Sequence, residues 1–135
     1  MEDKLKFEVA TPERLVIDDS VDEVVLPSVE GYMGVRIGHA PLLAKLDVGE
    51  ISYRLGKDTK YVATSGGFAE VLRNSVRVLA ETAEPAEEID VDRAELSKSK
   101  AEELLKTEKA PDKFQRAEVR LKRAISRIQT HKHIG

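Results

Sequence analysis

The stretch SVRVLAETAEPAEEIDVDRA, residues 75–94, contains the change of pattern that decides the fold. Up to about Glu81 the chain consists of short, β-branched runs that are close to alternating and are separated by turn-forming residues. Many short strands at nearly even spacing, with no helical stretch between them, indicate an antiparallel sandwich or barrel. We therefore predict a β-sandwich domain over residues 1–86. The eight runs are LKFEV, RLVID, VDEVVLP, YMGVRI, ISYRL, KYVATS, FAEVL and SVRVLAE.

After Glu84 and Pro85 the apolar residues recur at helical spacing instead. Asp90 is a good helix N-cap, and Pro111 cannot continue a helix, so we expect two helices with a break near residues 109–112. Two amphipathic helices joined by a short break pack as an antiparallel hairpin. The predicted fold class is α+β, with an N-terminal antiparallel β-sandwich followed by a C-terminal antiparallel two-helix hairpin over residues 87–135.

The apolar stripes of the two helices are narrow and rich in alanine. Small side chains let helices approach closely but bury little area each, so we expect the hairpin to be weakly held. Our hypothesis is that it can detach from the sandwich and move. The stripes comprise Val91, Ala94, Ala101 and Leu105, with Leu104 beside them, on the first helix, and Phe114, Ala117, Leu121, Ala124, Ile125 and Ile128 on the second.

The composition excludes several kinds of site. The chain has no cysteine, so disulfides, thiolate nucleophiles and cysteine metal sites are excluded. His131 and His133 lie near a C-terminal end that we expect to fray, and we predict no metal site. No apolar run approaches the roughly 18 residues that a membrane-spanning helix needs, so we expect no direct membrane insertion.

Charge is distributed unevenly along the chain. The net charge is -3, but residues 112–135 contain seven lysines and arginines against two acids, which leaves an acidic body. Such a basic segment indicates a charged partner or a contact between the two halves. A nucleic-acid-binding hairpin is one alternative, but the acidic body, the 4% aromatic content and the lack of a recognised motif count against it. A free-standing ligand-binding sandwich with the hairpin as a lid is another.

Three ordered stretches carry a family resemblance: SVEGYMGV at 28–35 followed by GHAPLL at 38–43, SGGFAEV at 65–71, and IDVDRA at 89–94 with LKRA at 121–124. In this order, before a helical hairpin, they resemble the epsilon subunits of F-type ATP synthases over essentially the whole chain. One departure is Ile37, where the family commonly has proline.

The resemblance implies a non-catalytic subunit of the rotor. Its sandwich would contact the gamma subunit and the membrane rotor ring of c subunits. Its hairpin would either fold against the sandwich or extend to the alpha and beta subunits and hinder ATP hydrolysis. The implied location is peripheral, on the cytoplasmic face of the bacterial cell membrane. No cofactor is required, and ATP is implied as a regulatory ligand.

The candidate residues follow from this resemblance and from one arginine stripe. Tyr32 and His39 are implied to contact the rotor ring and gamma, respectively. The second helix has arginines spaced 4, 3 and 4 apart, which therefore share one face. Such a stripe is usually a solvated basic face, but the resemblance implies roles in partner and phosphate binding. Arg116 and Arg120 are expected at the interface with the catalytic subunits. The implied nucleotide-binding residues are Glu84, Ile89, Asp90, Arg93, Ala94, Arg123 and Arg127. Lys100 stands where ATP-binding relatives often have arginine.

Overall fold

The computed structural model describes residues 4–134, which form ten strands, one 3-10 turn and two α-helices. The strands are β1 Leu5–Ala10, β2 Leu15–Val21, β3 Glu23–Ser28, β4 Gly31–Val35, β5 Leu42–Lys45, β6 Gly49–Leu55, β7 Asp58–Ser65, β8 Phe68–Val71, β9 Ser75–Leu79 and β10 Thr82–Pro85. The 3-10 turn is Ala86–Glu88, and the helices are α1 Val91–Thr107 and α2 Pro111–His131.

The strands form two five-stranded sheets. Sheet A has the order β2-β1-β9-β8-β5, and sheet B has the order β10-β7-β6-β3-β4. The predicted α+β fold with an N-terminal sandwich is confirmed. Within sheet A, β1 and β9 pair in parallel, which departs from the all-antiparallel expectation. Two four-residue strands, β5 and β10, lie outside the eight predicted runs because each is short and either follows a proline or ends in one.

The core lies between the inner faces of the two sheets. Strands of both sheets contribute inward-facing residues to it, and the largest fully buried side chain is Phe7. The Phe7 ring packs on Tyr53 at a centroid distance of 5.1 Å. Burial, reinforced by the carboxylates of Asp19 and Glu87, raises the pKa of Tyr53 to about 12. The sandwich is therefore held by apolar burial in its own interior.

Two features of local chemistry shape the hairpin. The Asp90 carboxylate accepts a hydrogen bond of 3.1 Å from the backbone N–H of Arg93, which caps α1 as predicted. Pro111 is the first residue of α2, where its missing N–H costs nothing. The two helices pack on each other through alanines, of which Ala94, Ala101, Ala117 and Ala124 are at most 2% exposed.

The hairpin lies on sheet B through one helix. α2 contacts β6, β7 and the 3-10 turn, and α1 packs on α2. The sandwich surface that α2 covers is the outer face of sheet B. None of the described helices is both long and apolar enough to cross a membrane.

Candidate functional site

The candidate site lies where α2 meets the outer face of sheet B. On the helix side, Ser126 and Thr130 are buried although both carry hydroxyl groups. On the sheet side, Ala63 and Ser65 of β7 are buried as well. This contact, which we call the hairpin seat, is therefore built from small and polar residues rather than from large apolar ones.

Two arginine–glutamate pairs flank the seat. Arg123 Nη2 lies 3.3 Å from Glu81 Oε2, and Arg127 Nε forms an ion pair with the carboxylate of Glu84. Both glutamates lie at the β10 edge of sheet B, one just before that strand and one within it. The anions that meet this part of the arginine stripe are thus carboxylates of the protein's own sandwich.

The structure divides the predicted arginine stripe into two halves. Arg123 and Arg127 are half-buried in the seat, whereas Arg116 and Arg120 are exposed. The exposed pair lines a shallow surface groove with Asp112, Gln115, Val119 and Arg123. The arginine stripe therefore lies in two environments, the seat and the exposed groove, because only the C-terminal half of α2 lies over the sheet.

A narrow crevice joins three of the predicted nucleotide-binding residues. Glu84, Arg123 and Arg127 line it together with Ser126 and the β7 and β10 residues Ala63, Thr64, Ser65 and Thr82. Its volume is about 10 Å³, enough for roughly one water-sized oxygen. A whole triphosphate does not fit inside it, so a larger anion can place only one oxygen there unless the side chains move.

The other four predicted nucleotide-binding residues do not line this crevice. Ile89 and Ala94 are buried, at 6% and 1% exposure. The Asp90 carboxylate is occupied with capping α1, and Arg93 is exposed in the first turn of that helix. The described side chains thus bring together Glu84, Arg123 and Arg127, but neither Arg93 nor the rest of the predicted set.

A second polar contact holds the C-terminal end of α2 and was missed by sequence reasoning. Glu50 of β6 accepts a hydrogen bond from Thr130 Oγ1 at 3.0 Å, and its carboxylate lies 3.0 Å from His133 Nε2. The His133 ring stacks on Tyr61 at a centroid distance of 3.6 Å. The expectation of a frayed C-terminus is wrong for His131 and His133, because α2 continues through His131 and His133 is seated on the sheet. One signal for this contact was available in the sequence. Polar residues recur at helical spacing on α2, at Arg123, Ser126 or Arg127, and Thr130, although no apolar stripe marks that face.

Of the two predicted interface residues of the sandwich, Tyr32 lies at the edge of the seat, where it lines a cavity with Ser126 and Gln129 of α2. Tyr32 is 64% exposed, and its hydroxyl accepts a 3.3 Å hydrogen bond from the backbone N–H of Glu50. His39 is half-buried in the turn after Gly38, with Nδ1 2.7 Å from the carbonyl oxygen of Ala40. Each is therefore anchored to its own sandwich while part of the side chain stays accessible.

No metal centre accompanies these features within residues 4–134, where no group of three or more histidine and acidic side chains is placed to hold an ion. The chemistry that the seat offers is anion recognition by two guanidinium groups and several hydroxyls. It offers no nucleophile–base pair among the lining residues of the crevice.

Comparison with known proteins identifies the family to which the chain is similar. Residues 4–86 match the family model described as the ATP synthase delta/epsilon chain beta-sandwich domain, and residues 87–132 match the corresponding long alpha-helix domain. The chain is 46% identical over 129 residues to the ATP synthase epsilon chain of Syntrophobacter fumaroxidans, covering 96% of each chain. It is 50% identical over 107 residues to that of Koribacter versatilis, covering 79% of this chain and 75% of the relative.

Solved structures show the same fold at low identity. A chain in the cryo-EM structure of the Euglena gracilis mitochondrial ATP synthase (OSCP/F1/c-ring) aligns with a TM-score of 0.79 and 20% identity, covering 99% of this chain and 82% of that chain. A chain from the Tetrahymena thermophila mitochondrial ATP synthase central stalk and c-ring aligns at 0.64 and 15% identity, covering 96% of this chain and 99% of that chain. Because two family models match consecutive parts of the chain, and relatives match it at nearly half of all positions, the chain belongs to the delta/epsilon chain family of ATP synthase.

Proposed function

We propose that this protein is a rotor component that joins the gamma subunit to the ring of c subunits through its sandwich and regulates the complex through its hairpin. As an epsilon-type chain it is a non-catalytic subunit of ATP synthase. The proposal rests on a difference between the outer faces of the two sheets. The outer face of sheet B is covered by the protein's own helix, whereas the outer face of sheet A is bare.

The bare face displays a row of apolar side chains. Leu15, Phe68 and Leu79 are 52%, 50% and 59% exposed. Strand pairing aligns them in one row, since Leu15 lies opposite Ala10, Ala10 opposite Leu79, and Leu79 opposite Phe68. An exposed apolar row that crosses four strands is typical of a surface that meets another protein. We assign this apolar row to gamma, with His39 as a further gamma contact and Tyr32 as a contact to the ring.

The hairpin is the regulatory part of the proposal. We divide the chain into a sandwich domain, residues 1–86, and a hairpin domain, residues 87–135. The described structure has the hairpin docked. When it is extended, the exposed Arg116 and Arg120 would meet acidic surface on the alpha and beta subunits and hinder ATP hydrolysis.

ATP is the proposed regulatory ligand of the docked hairpin. Arg123 and Arg127 are one turn apart and both line the crevice, so both can contact one polyphosphate bound at its mouth. Arg93 would add a phosphate contact, Glu84 and Asp90 would contact the base or sugar, and Ile89 and Ala94 would support that end of the site. Both seat arginines are paired with glutamates. The phosphates of a bound nucleotide would therefore replace these carboxylates as the anions that contact the arginines.

The proposed location is peripheral, on the cytoplasmic face of the bacterial membrane. The assembled rotor, rather than a spanning segment of this chain, would attach the protein there. Nucleic acid is not a proposed partner, because two arginines of the basic stripe already form ion pairs with carboxylates of the protein itself.

Binding to purified gamma subunit tests the assembly role. Leu79→Glu, in the apolar row, is expected to weaken the complex in size-exclusion and calorimetric measurements. Leu96→Glu is a matched control, because Leu96 is 56% exposed but lies on α1. Equal binding by both variants would refute the assignment of the row. A chain ending at residue 89 is expected to stay folded and to bind gamma; an unfolded or non-binding product would refute the two-domain division.

Calorimetric titration with ATP tests the nucleotide role. Arg127→Ala is expected to weaken binding by about one to two orders of magnitude, since a charge-assisted contact is lost. Arg120→Ala, on the exposed half of the stripe, should leave it nearly unchanged. Asp90→Ala is expected to weaken it as well, and a melt without ligand separates loss of the site from loss of the helix cap. Absence of any ATP effect on the wild type would remove ATP from the proposal without affecting the assembly role.

A further inference from the structure

We propose that Ser126 and Arg123 form a pocket for one phosphoryl group, and that Glu81 is the carboxylate which this phosphoryl group displaces. The inference rests on the proposed nucleotide binding and adds two residues, Ser126 and Glu81, that the sequence did not single out.

The first observation is a pair of buried donors that lack partners. The Oγ of Ser126 and the Nε of Arg123 are both shielded from solvent, and neither makes a hydrogen bond within the described structure. Ser126 is only 9% exposed. Buried donors are almost always satisfied in folded proteins, so both groups are available to an acceptor oxygen that enters the crevice.

The second observation is the crevice that both residues line. The crevice is also lined by Arg127 and by the hydroxyl-bearing residues Ser65 and Thr82, whose Oγ and Oγ1 atoms are hydrogen-bonded to each other. Its volume of about 10 Å³ suits a single oxygen atom. Because the lining contains two guanidinium groups against one carboxylate, an anionic oxygen suits the crevice better than a neutral one.

Helix geometry explains why the donors converge. Arg123, Ser126 and Arg127 are at positions i, i+3 and i+4 of α2 and therefore share one face. That face is turned toward β7 and β10, so one helical turn directs two guanidinium groups and a hydroxyl to the same place. A phosphoryl group has several acceptor oxygens and can engage more than one of these donors at once.

Glu81 contacts the Arg123 guanidinium at Nη2 from outside the crevice, of which it is not a lining residue. Its carboxylate makes one 3.3 Å contact with Arg123 Nη2, and its side chain is 65% exposed. The carboxylate rests beside Gly66, where an added Cβ would lie 3.0 Å from its carbon atom. This pair is solvent-accessible and screened, so a phosphate of higher charge can replace it. Glu81 thereby acts as an internal competitor that weakens the apparent affinity for nucleotide.

Two substitutions test the pocket in opposite directions. Ser126→Ala removes a donor and is expected to weaken ATP binding about tenfold, whereas Glu81→Gln removes the competitor and is expected to tighten it several-fold. Glu118→Gln and Ser99→Ala are matched controls on exposed positions of the hairpin and should change nothing. The Hε–Nε NMR signal of Arg123 supplies a direct readout, because it should shift when ATP or pyrophosphate binds.

The outcomes separate this inference from the nucleotide proposal. If the wild type binds ATP but Ser126→Ala and Glu81→Gln bind it with unchanged affinity, the pocket is refuted and the nucleotide site stands elsewhere on the hairpin. If the wild type does not bind ATP, the nucleotide proposal fails. Titration with pyrophosphate then tests the phosphoryl pocket by itself. A shift of the Arg123 signal with pyrophosphate that is lost in Ser126→Ala supports the pocket, and no shift refutes it. Melts without ligand show whether either variant has simply undocked the hairpin.

Discussion

The sandwich core and the hairpin seat use opposite chemistry to hold elements of the same chain together. The core contains Phe7, Leu5, Leu26 and many valines at or near zero exposure. The seat contains alanines, hydroxyls and arginine–glutamate pairs that remain partly exposed. Apolar burial is non-directional and is not screened by salt, whereas exposed ion pairs are individually weak and screened. The difference is consistent with our proposal that the sandwich stays folded while the hairpin detaches.

The largest expected effect is in the core. Phe7→Ala should lower the free energy of unfolding of the sandwich by about 3–5 kcal/mol, because it removes a fully buried ring and leaves a cavity. Urea denaturation of the full chain measures this loss. Phe68→Ala is the matched control, since Phe68 is 50% exposed and its removal should change stability by about 0.5 kcal/mol or less. Similar losses for both would mean that the core does not dominate stability.

An intermediate effect is expected where the two helices meet. Ala124 is 1% exposed, so Ala124→Leu should overpack the contact and destabilise the hairpin by about 1–3 kcal/mol. Hydrogen exchange should quicken in α1 and α2 while the amides of the sandwich keep their protection. Glu118→Leu, at an exposed position of α2, serves as the control. Faster exchange throughout the sandwich would contradict the separation of the two regions.

A smaller effect is expected at the seat. Glu84→Gln should weaken docking by about 0.2–1 kcal/mol, since the pair with Arg127 is only partly buried. Energy transfer between fluorophores at residues 57 and 109 would report undocking. Raising the salt concentration from about 0.1 M to 1 M shortens the screening length from about 10 Å to 3 Å and should undock the wild type more than the variant. The same salt response in both proteins would show that this pair does not hold the hairpin.

The smallest effect is expected at the ion pair between Lys4, just before β1, and Asp22, between β2 and β3. Hydrogen bonds from the Lys4 side chain and from the Gly56 backbone N–H hold the pKa of Asp22 below its usual range. A lowered pKa stabilises the fold at neutral pH, and this contribution is lost as pH falls below the ordinary aspartate range. Asp22→Asn should therefore be slightly less stable than wild type at pH 7, with the difference vanishing near pH 2.

Urea midpoints at the two pH values measure this change, with Asp18→Asn as an exposed control. A difference that persists in acid would mean that Asp22 acts through packing rather than charge. Hairpin docking should be unaffected by the substitution, because Asp22 contacts Lys4, Arg54 and Gly56 and no residue of α2.

Several parts of the site were accessible to sequence reasoning, and others were not. The cap at Asp90, the break between the helices near Pro111 and the alanine contacts of the hairpin all follow from local sequence. The partners of Arg123 and Arg127 do not, because Glu81 lies 42 residues from Arg123 and the spacing of the arginines on α2 does not show which carboxylates they meet. The same holds for Thr130 and Glu50, which are 80 residues apart.

By itself the sequence determined the alternating first part, the helical second part and the point between them where the pattern changes. These are local properties, since a strand repeats every two residues and a helix every 3.6. Only the tertiary structure decided which face of α2 lies on sheet B, which half of the arginine stripe is paired, and that two donors are buried without an acceptor. Those outcomes depend on contacts between distant segments made by small and polar residues, and such residues leave no hydrophobic pattern in the sequence from which the contact could be predicted.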